Sequence, residues 1–197
     1  RWVLMEFSGP SATDVDEIYV YVSQTPTPTN NPADWFFFEF TFPVPGGSFP
    51  DYPKLAVWPD GYYITTNEAG TSDPPVYVLD RVNMLQGLTP RPFQRVTTPA
   101  LAGFGFQALT PVDLDGSTAP PLGNPAYMLR HRDDEAHNVG ANDPNQDFIE
   151  LYAYSTDLAN AANSTFQLEA SIPVSEFDSD LNGLFSFSAI TQPGGNT

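Results

Sequence analysis

This sequence predicts an all-β chain, and three observations carry that reading. The first is turn chemistry: 21 prolines and 14 glycines among 197 residues work against long helices. The second is period-two alternation in Glu17–Ser23 (EIYVYVS), Val76–Asp80 (VYVLD) and Phe148–Ser155 (FIELYAYS), where β-branched and aromatic residues suit a pleated, half-buried surface. The third is recurrence. Phe36, Phe93 and Phe166 mark equivalent points 57 and 73 residues apart (36 to 93, 93 to 166), and the extra length of the last unit lies in the polar stretches Leu114–Pro125 and Asp133–Asp147.

Taken in order, Arg1–Phe7 alternates weakly and reads as a strand, and Ser8–Asp16 as a polar loop. Glu17–Ser23 is a strand, Gln24–Asp34 a proline-rich loop, and Trp35–Phe42 a strand that stops at Pro43. The hairpin Asp51–Glu68 comes next and organises the chain. Lys54–Trp58 forms its first arm and Tyr62–Asn67 its second. Pro59-Asp60-Gly61 is the turn, proline presetting φ and glycine accepting a positive one. Val76–Asp80 follows as a strand, and Arg81–Gln86 as a helical turn stopped by Gly87. Phe93–Thr98, Phe106–Thr110, Ala126–His131, Phe148–Ser155 and Phe166–Ile172 read as further strands, the last ending at Pro173.

Each full unit then has four antiparallel strands, the pattern of a β-propeller blade. Residues 1–48 read as a partial blade, 49–102 and 103–175 as whole blades, and 176–197 as the start of another, with a strand near Phe185–Ile190. About three blades leave the ring incomplete, so further chain or a neighbouring copy is expected to complete it. The alternative fold is a β-sandwich.

Charge and cysteine bound the function. With 24 acidic and 7 basic residues the formal net charge is −17, which repels phosphate backbones and anionic lipid. Nucleic acid is not an expected partner, and the acidity reads first as a solvated surface. No cysteine is present, which excludes disulfides and thiolate chemistry. No apolar run reaches the length of a membrane helix, so direct membrane insertion is not expected. The chain opens on arginine within a strand pattern, and the reading takes it as a piece of something longer.

Several segments carry a resemblance: RWVLMEF (1–7), VSQTPTPT (22–29), FPDYPKLAVWPDGYYITTNE (49–68), PVDLDGSTAPPLGNPAYML (111–129), NSTF (163–166) and FDSDLNG (177–183). In this order they resemble a family of large, functionally uncharacterised secreted bacterial β-propeller proteins with a loosely sialidase-like ring. The resemblance implies export and a cell-surface or extracellular location, and further propeller sequence on both sides. It supplies no catalytic residue. The sialidase-type S-x-D-x-G-x-x-W box does not occur, and no arginine triad can be assembled from Arg1, Arg81, Arg91, Arg95, Arg130 and Arg132, so sialidase activity is not expected.

Four groups are candidate sites. Asp178, Asp180 and Asn182, followed by Gly183, open like a calcium loop. Position twelve is Ala189 rather than a bidentate glutamate, and an ordinary acidic turn is the simpler reading. Asp113-Leu114-Asp115-Gly116 is a shorter version. His131–His137 (HRDDEAH) is the densest polar cluster, with residue types suited to a transition metal or acid–base pair, yet its spacing fits no ligand motif and it reads as a solvated loop. Asp51 and Asp60 flank the central hairpin and, with Asp113, are the carboxylates a polysaccharide hydrolase would use. Trp58, Tyr62, Tyr63 and Tyr127 offer sugar-stacking rings, although alternation places most of them in the core. Asn163-Ser164-Thr165 is a formal glycosylation sequon. The expected function is a non-catalytic binding or structural module, calcium-supported, contacting glycan, a surface protein or neighbouring chains. The alternatives are a polysaccharide-acting hydrolase and a subunit of a larger extracellular assembly.

Overall fold

The structure is a computed structural model that describes residues 1–7, 17–42, 50–68, 73–101, 109–116, 118–121, 123–137, 146–177 and 179. It is all-β in architecture, with three antiparallel sheets. The first holds β1 (Val3–Phe7), β2 (Glu17–Ser23) and β3 (Trp35–Thr41). The second holds β4 (Pro50–Val57), β5 (Tyr62–Glu68), β6 (Pro75–Leu79) and β7 (Gln94–Thr97). The third holds β8 (Thr110–Pro111), β9 (Ala126–Arg132), β10 (Asp147–Ser155) and β11 (Thr165–Val174). In each sheet, strands consecutive in sequence are neighbours in space, so every sheet is a meander. The described residues also include two four-residue helices, α1 (Arg81–Met84) and α2 (Asp134–His137), and 3-10 turns at Pro32–Asp34 and Ala161–Asn163. No helix among the described residues is long and apolar enough to cross a membrane.

The second sheet lies between the other two, and its alternation explains how. On β5 and β6, Tyr62, Ile64, Tyr77 and Leu79 pack with Ile18, Val20, Val22, Phe40 and Phe42 of the first sheet region. The intervening Tyr63, Val76 and Val78 pack with Ala126, Met128, Tyr152 and Tyr154 of the third. All five residues of β6 are buried, because neither face of this strand meets water. Burying each large apolar side chain contributes roughly 1.5–3 kcal/mol, so these two seams hold the sheets together.

Several boundaries differ from the sequence reading for local reasons. The helical turn expected over Arg81–Gln86 is regular only to Met84. Asp80 starts it by accepting from the Asn83 N–H at 3.3 Å, and Gly87 turns the chain away at φ +70°, where a Cβ would sit 2.5 Å from the Phe36 ring. β11 runs through Pro173 instead of stopping there. It is an edge strand, where one side carries no ladder bonds and a residue without N–H is tolerated. Edge strand β4 likewise begins at Pro50 and absorbs Pro53 with a register shift between Asp51 and Lys54, Tyr52 there taking φ 47°. Trp58 falls in the turn instead of closing the first arm, its N–H bonding Gly61 O at 3.0 Å. Gly61 does not have the positive φ expected of it. Its need is space, since a Cβ there would lie 2.5 Å from Val78 Cγ2. Of the strand expected at Phe106–Thr110, the described residues are Leu109 and Thr110, and Thr110 pairs with Leu129. The strand expected near Phe185–Ile190 lies outside the described residues.

Candidate functional site

At one end of the stack, turns from the second and third sheets bound a groove of about 440 Å³. Pro59 and Asp60 of the β4–β5 turn form one wall. Pro120, Pro121 and Asn124 of the β8–β9 connection, with Thr156 beyond β10, form the other. The prolines stiffen both walls by fixing φ. Beneath the groove the Tyr63 hydroxyl donates to Asp60 Oδ2 at 2.8 Å and lies 2.9 Å from Thr156 Oγ1, linking the two turns. Burial, reinforced by the Asp60 charge, pushes the Tyr63 phenol well above its ordinary range, so it stays a neutral donor. The groove therefore offers a carboxylate, an amide and a hydroxyl between apolar walls, a set able to orient a polar ligand.

The carboxylates expected to work as a pair do not meet. Asp60 is in the turn, whereas Asp51 lies at the open end of the same hairpin opposite Asn67, where its Oδ1 accepts from the Tyr52 N–H at 2.8 Å. Asp113 Oδ1 accepts from the Val57 N–H at 2.8 Å, tying the third sheet's entry loop to the edge of β4. The expected stacking rings are core residues: Trp58, Tyr62 and Tyr63 are at most 3% exposed. The Trp58 indole donates to Val112 O at 2.7 Å, and half-buried Tyr127 meets it edge-on, 6.0 Å between centroids.

His131–His137 is not the solvated loop its polarity suggests. Asp133, Asp134 and His137 are buried because every polar turn here caps another. His137 Nδ1 accepts from the Asp133 N–H at 3.0 Å. Asp147 Oδ1 accepts from the Asp134 N–H at 2.9 Å, and its Oδ2 from the Phe177 N–H at 2.6 Å. Asp133 Oδ2 accepts from both Ser179 N–H and Oγ, at 2.8 and 2.7 Å. Burial holds both His131 and His137 below the usual imidazole range, the His131 ring adding to the effect on His137. Among the described residues no group of three His, Cys, Asp or Glu is arranged to hold a metal ion. Asp178, Asp180 and Asn182, the calcium candidates, lie outside the described residues.

Sequence reasoning missed two buried tyrosine–carboxylate–arginine sets. In the second sheet Arg95 Nη2 reaches Glu68 Oε2 at 2.8 Å. Arg95 Nε donates to the Tyr77 hydroxyl at 3.1 Å, and that hydroxyl donates to Glu68 Oε1. In the third sheet Arg130 Nη2 reaches Glu150 Oε2 at 2.6 Å and donates to the Tyr152 hydroxyl at 2.8 Å. Its Nη1 donates to Pro99 O at 2.8 Å, a bond back to the second sheet's exit. Each guanidinium lies over its tyrosine ring, 5.7 and 5.5 Å from the centroid, as cation–π attraction favours. The available signal was a charge at an inward strand position: Arg130 lies between Met128 and Arg132 on the face shared with buried Ala126. These sets are closed by mutual bonds and act as structure.

Comparison with protein-family models, with curated proteins and with solved structures gave no match in any of the three.

Proposed function

We propose that this chain is a portion of an exported β-propeller that acts, at the cell surface or outside the cell, as a non-catalytic binding and structural module. The observation that carries the reading is the contrast between carboxylates and groove. Asp51, Asp60 and Asp113 are separated and each makes a structural bond, whereas Asp60, Asn124 and Thr156 border a proline-walled groove within the usual size range of ligand sites. A glycan, or a polar loop of a surface protein, matches that chemistry.

The sheet arrangement supports the blade reading. Each sheet of a two-layer sandwich keeps one face away from its partner, and the second sheet here has both faces buried. Successive meanders of the same strand order, packed face to face, are what propeller blades require. Calcium at Asp178, Asp180 and Asn182 is retained as a supporting element of the proposal. Hydrolysis is disfavoured by the distance between the ends of the hairpin that carry Asp51 and Asp60, since glycosidase carboxylates must flank one bond.

The test is a glycan and envelope-protein binding screen with Asp60→Asn and Asn124→Leu as controls, run with calcium and with EDTA. The expected result is a ligand whose affinity falls about tenfold in each variant, with the melting temperature lowered by EDTA. A ligand bound equally well by both variants would move the site elsewhere. An unchanged melting temperature in EDTA would remove calcium.

A further inference from the structure

The hydrogen bonds beneath the groove give it a one-sided chemistry. A phenol carries one proton, and Tyr63 donates its proton to Asp60 Oδ2. In the 2.9 Å contact between the Tyr63 hydroxyl and Thr156 Oγ1, the donor is therefore Thr156. The bonds run in one direction, from Thr156 to Tyr63 to Asp60. Thr156 has committed its proton inward, and a carboxylate only accepts, so both have lone pairs alone to offer a ligand. Pro59, Pro120 and Pro121 have no N–H to add. Asn124 and Ser155, also on the walls, can present a donor or an acceptor. The groove thus suits a ligand rich in donors.

Charge points the same way. Asp60 is exposed, and no basic residue is among the described residues that line the groove. All seven lysines and arginines of the chain are described, and none forms an ion pair with Asp60. Arg81 approaches the turn, yet its Nη1 donates to Pro59 O at 3.1 Å and its guanidinium lies 6.0 Å from the Tyr62 centroid. A carboxylate without a cationic partner, in a chain of net charge −17, draws cations and repels anions. The walls then limit what carries the charge. They are largely proline and alanine, surfaces that suit an aliphatic stem. No aromatic ring is among the described lining residues, so a sugar would find no face to stack on. No three His, Cys, Asp or Glu among the described residues are arranged to hold a bare metal ion.

We propose that the groove seats a basic side chain of a partner protein, a lysine or arginine whose aliphatic stem lies between the proline walls and whose cationic head bonds Asp60. Asn124 and Thr156 accept from the same head. Both kinds of head are all donor and no acceptor, which matches a site left with acceptors to fill. The groove, at about 440 Å³, is larger than one side chain, so residues flanking the basic one are held as well. This inference rests on the reading of the groove as the ligand site, and it selects protein over glycan as the ligand.

The test is NMR titration of the 197-residue chain with end-blocked glycine peptides that carry a central lysine, arginine or acetyl-lysine, and with a mixture of neutral oligosaccharides. The lysine and arginine peptides are expected to shift the amides of Asp60, Asn124 and Thr156, and the acetyl-lysine peptide to bind about tenfold more weakly or not at all. Asp60→Asn, which keeps an oxygen for the Tyr63 hydroxyl, is expected to weaken the basic peptides about tenfold. Glu169→Gln removes an exposed charge on β11 and is expected to leave their binding as it was. Asn124→Leu is the second groove variant should Asp60→Asn loosen the turn. Basic peptides that bind no better than acetyl-lysine, or that are weakened as much by Glu169→Gln as by the groove variants, would overturn the proposal. Oligosaccharide binding that is lost in the groove variants, with no binding of the basic peptides, would overturn it and keep the groove as a ligand site. No shift at the groove with any probe would remove both.

Discussion

The two seams that flank the second sheet use similar residues but are held differently. Against the first sheet, Phe42 stacks on Tyr77 with centroids 3.7 Å apart and an 8° tilt, and Phe93 packs against Phe40, Phe42 and Tyr77. Arg1 Nη1 donating to Leu85 O at 2.6 Å is a polar link at its margin. Against the third sheet, directed bonds cross the seam at several heights. Trp58 donates to Val112 O, Thr65 Oγ1 to Leu109 O at 2.5 Å, and Gln94 Nε2 to Asp157 O at 2.6 Å. Val57 N–H bonds Asp113 and Arg130 bonds Pro99 O. Ring packing is strong but weakly directional. Buried hydrogen bonds add little net stability but penalise any displacement that leaves a partner unsatisfied. The first seam thus supplies adhesion, and the second fixes register.

That contrast makes unequal predictions. Phe42→Ala removes the stacked ring and leaves a cavity beside Tyr77, so urea denaturation is expected to show a loss of about 3–5 kcal/mol. Trp58→Phe keeps most of the apolar volume but leaves Val112 O without its indole donor. Its expected cost is smaller, about 1–3 kcal/mol, and the chemical shifts of the β8–β9 connection should move while the first sheet's stay in place. Equal costs, or shifts spread over all three sheets, would break the distinction between adhesion and register.

The strands were legible where one face is polar or the residue class alternates. EIYVYVS gave β2 its bounds because Tyr19 and Tyr21 interrupt the aliphatic positions. β6 was legible as a strand, but VYVL could not show that both its faces are buried, since a tyrosine looks the same in a seam as on a surface. Proline misled at Pro173, where strand position within the sheet decides and local sequence does not. Polarity misled at His131–His137, because Asp133 accepts from Ser179, 46 positions away, and the Asp134 N–H donates to Asp147, itself held by the Phe177 N–H 30 positions further on. The groove was legible only as a turn at Pro59–Gly61. Its other wall comes from Pro120, Pro121, Asn124 and Thr156, and no local pattern announces a contact between distant turns. The two arginine sets escaped for the same reason, since Glu68 and Arg95 are brought together by the pairing of Tyr77 with Arg95 across β6 and β7.

Amide hydrogen exchange followed by mass spectrometry tests the central claim, that the second sheet is covered on both sides, most directly. The slowest exchange is expected in Tyr62–Glu68 and Pro75–Leu79, with Trp35–Thr41 and Thr165–Val174 opening earlier as uncovered edges. If the β5 and β6 peptides exchanged as fast as the β11 peptide, the second sheet would have a solvated face and the stacked arrangement would be wrong.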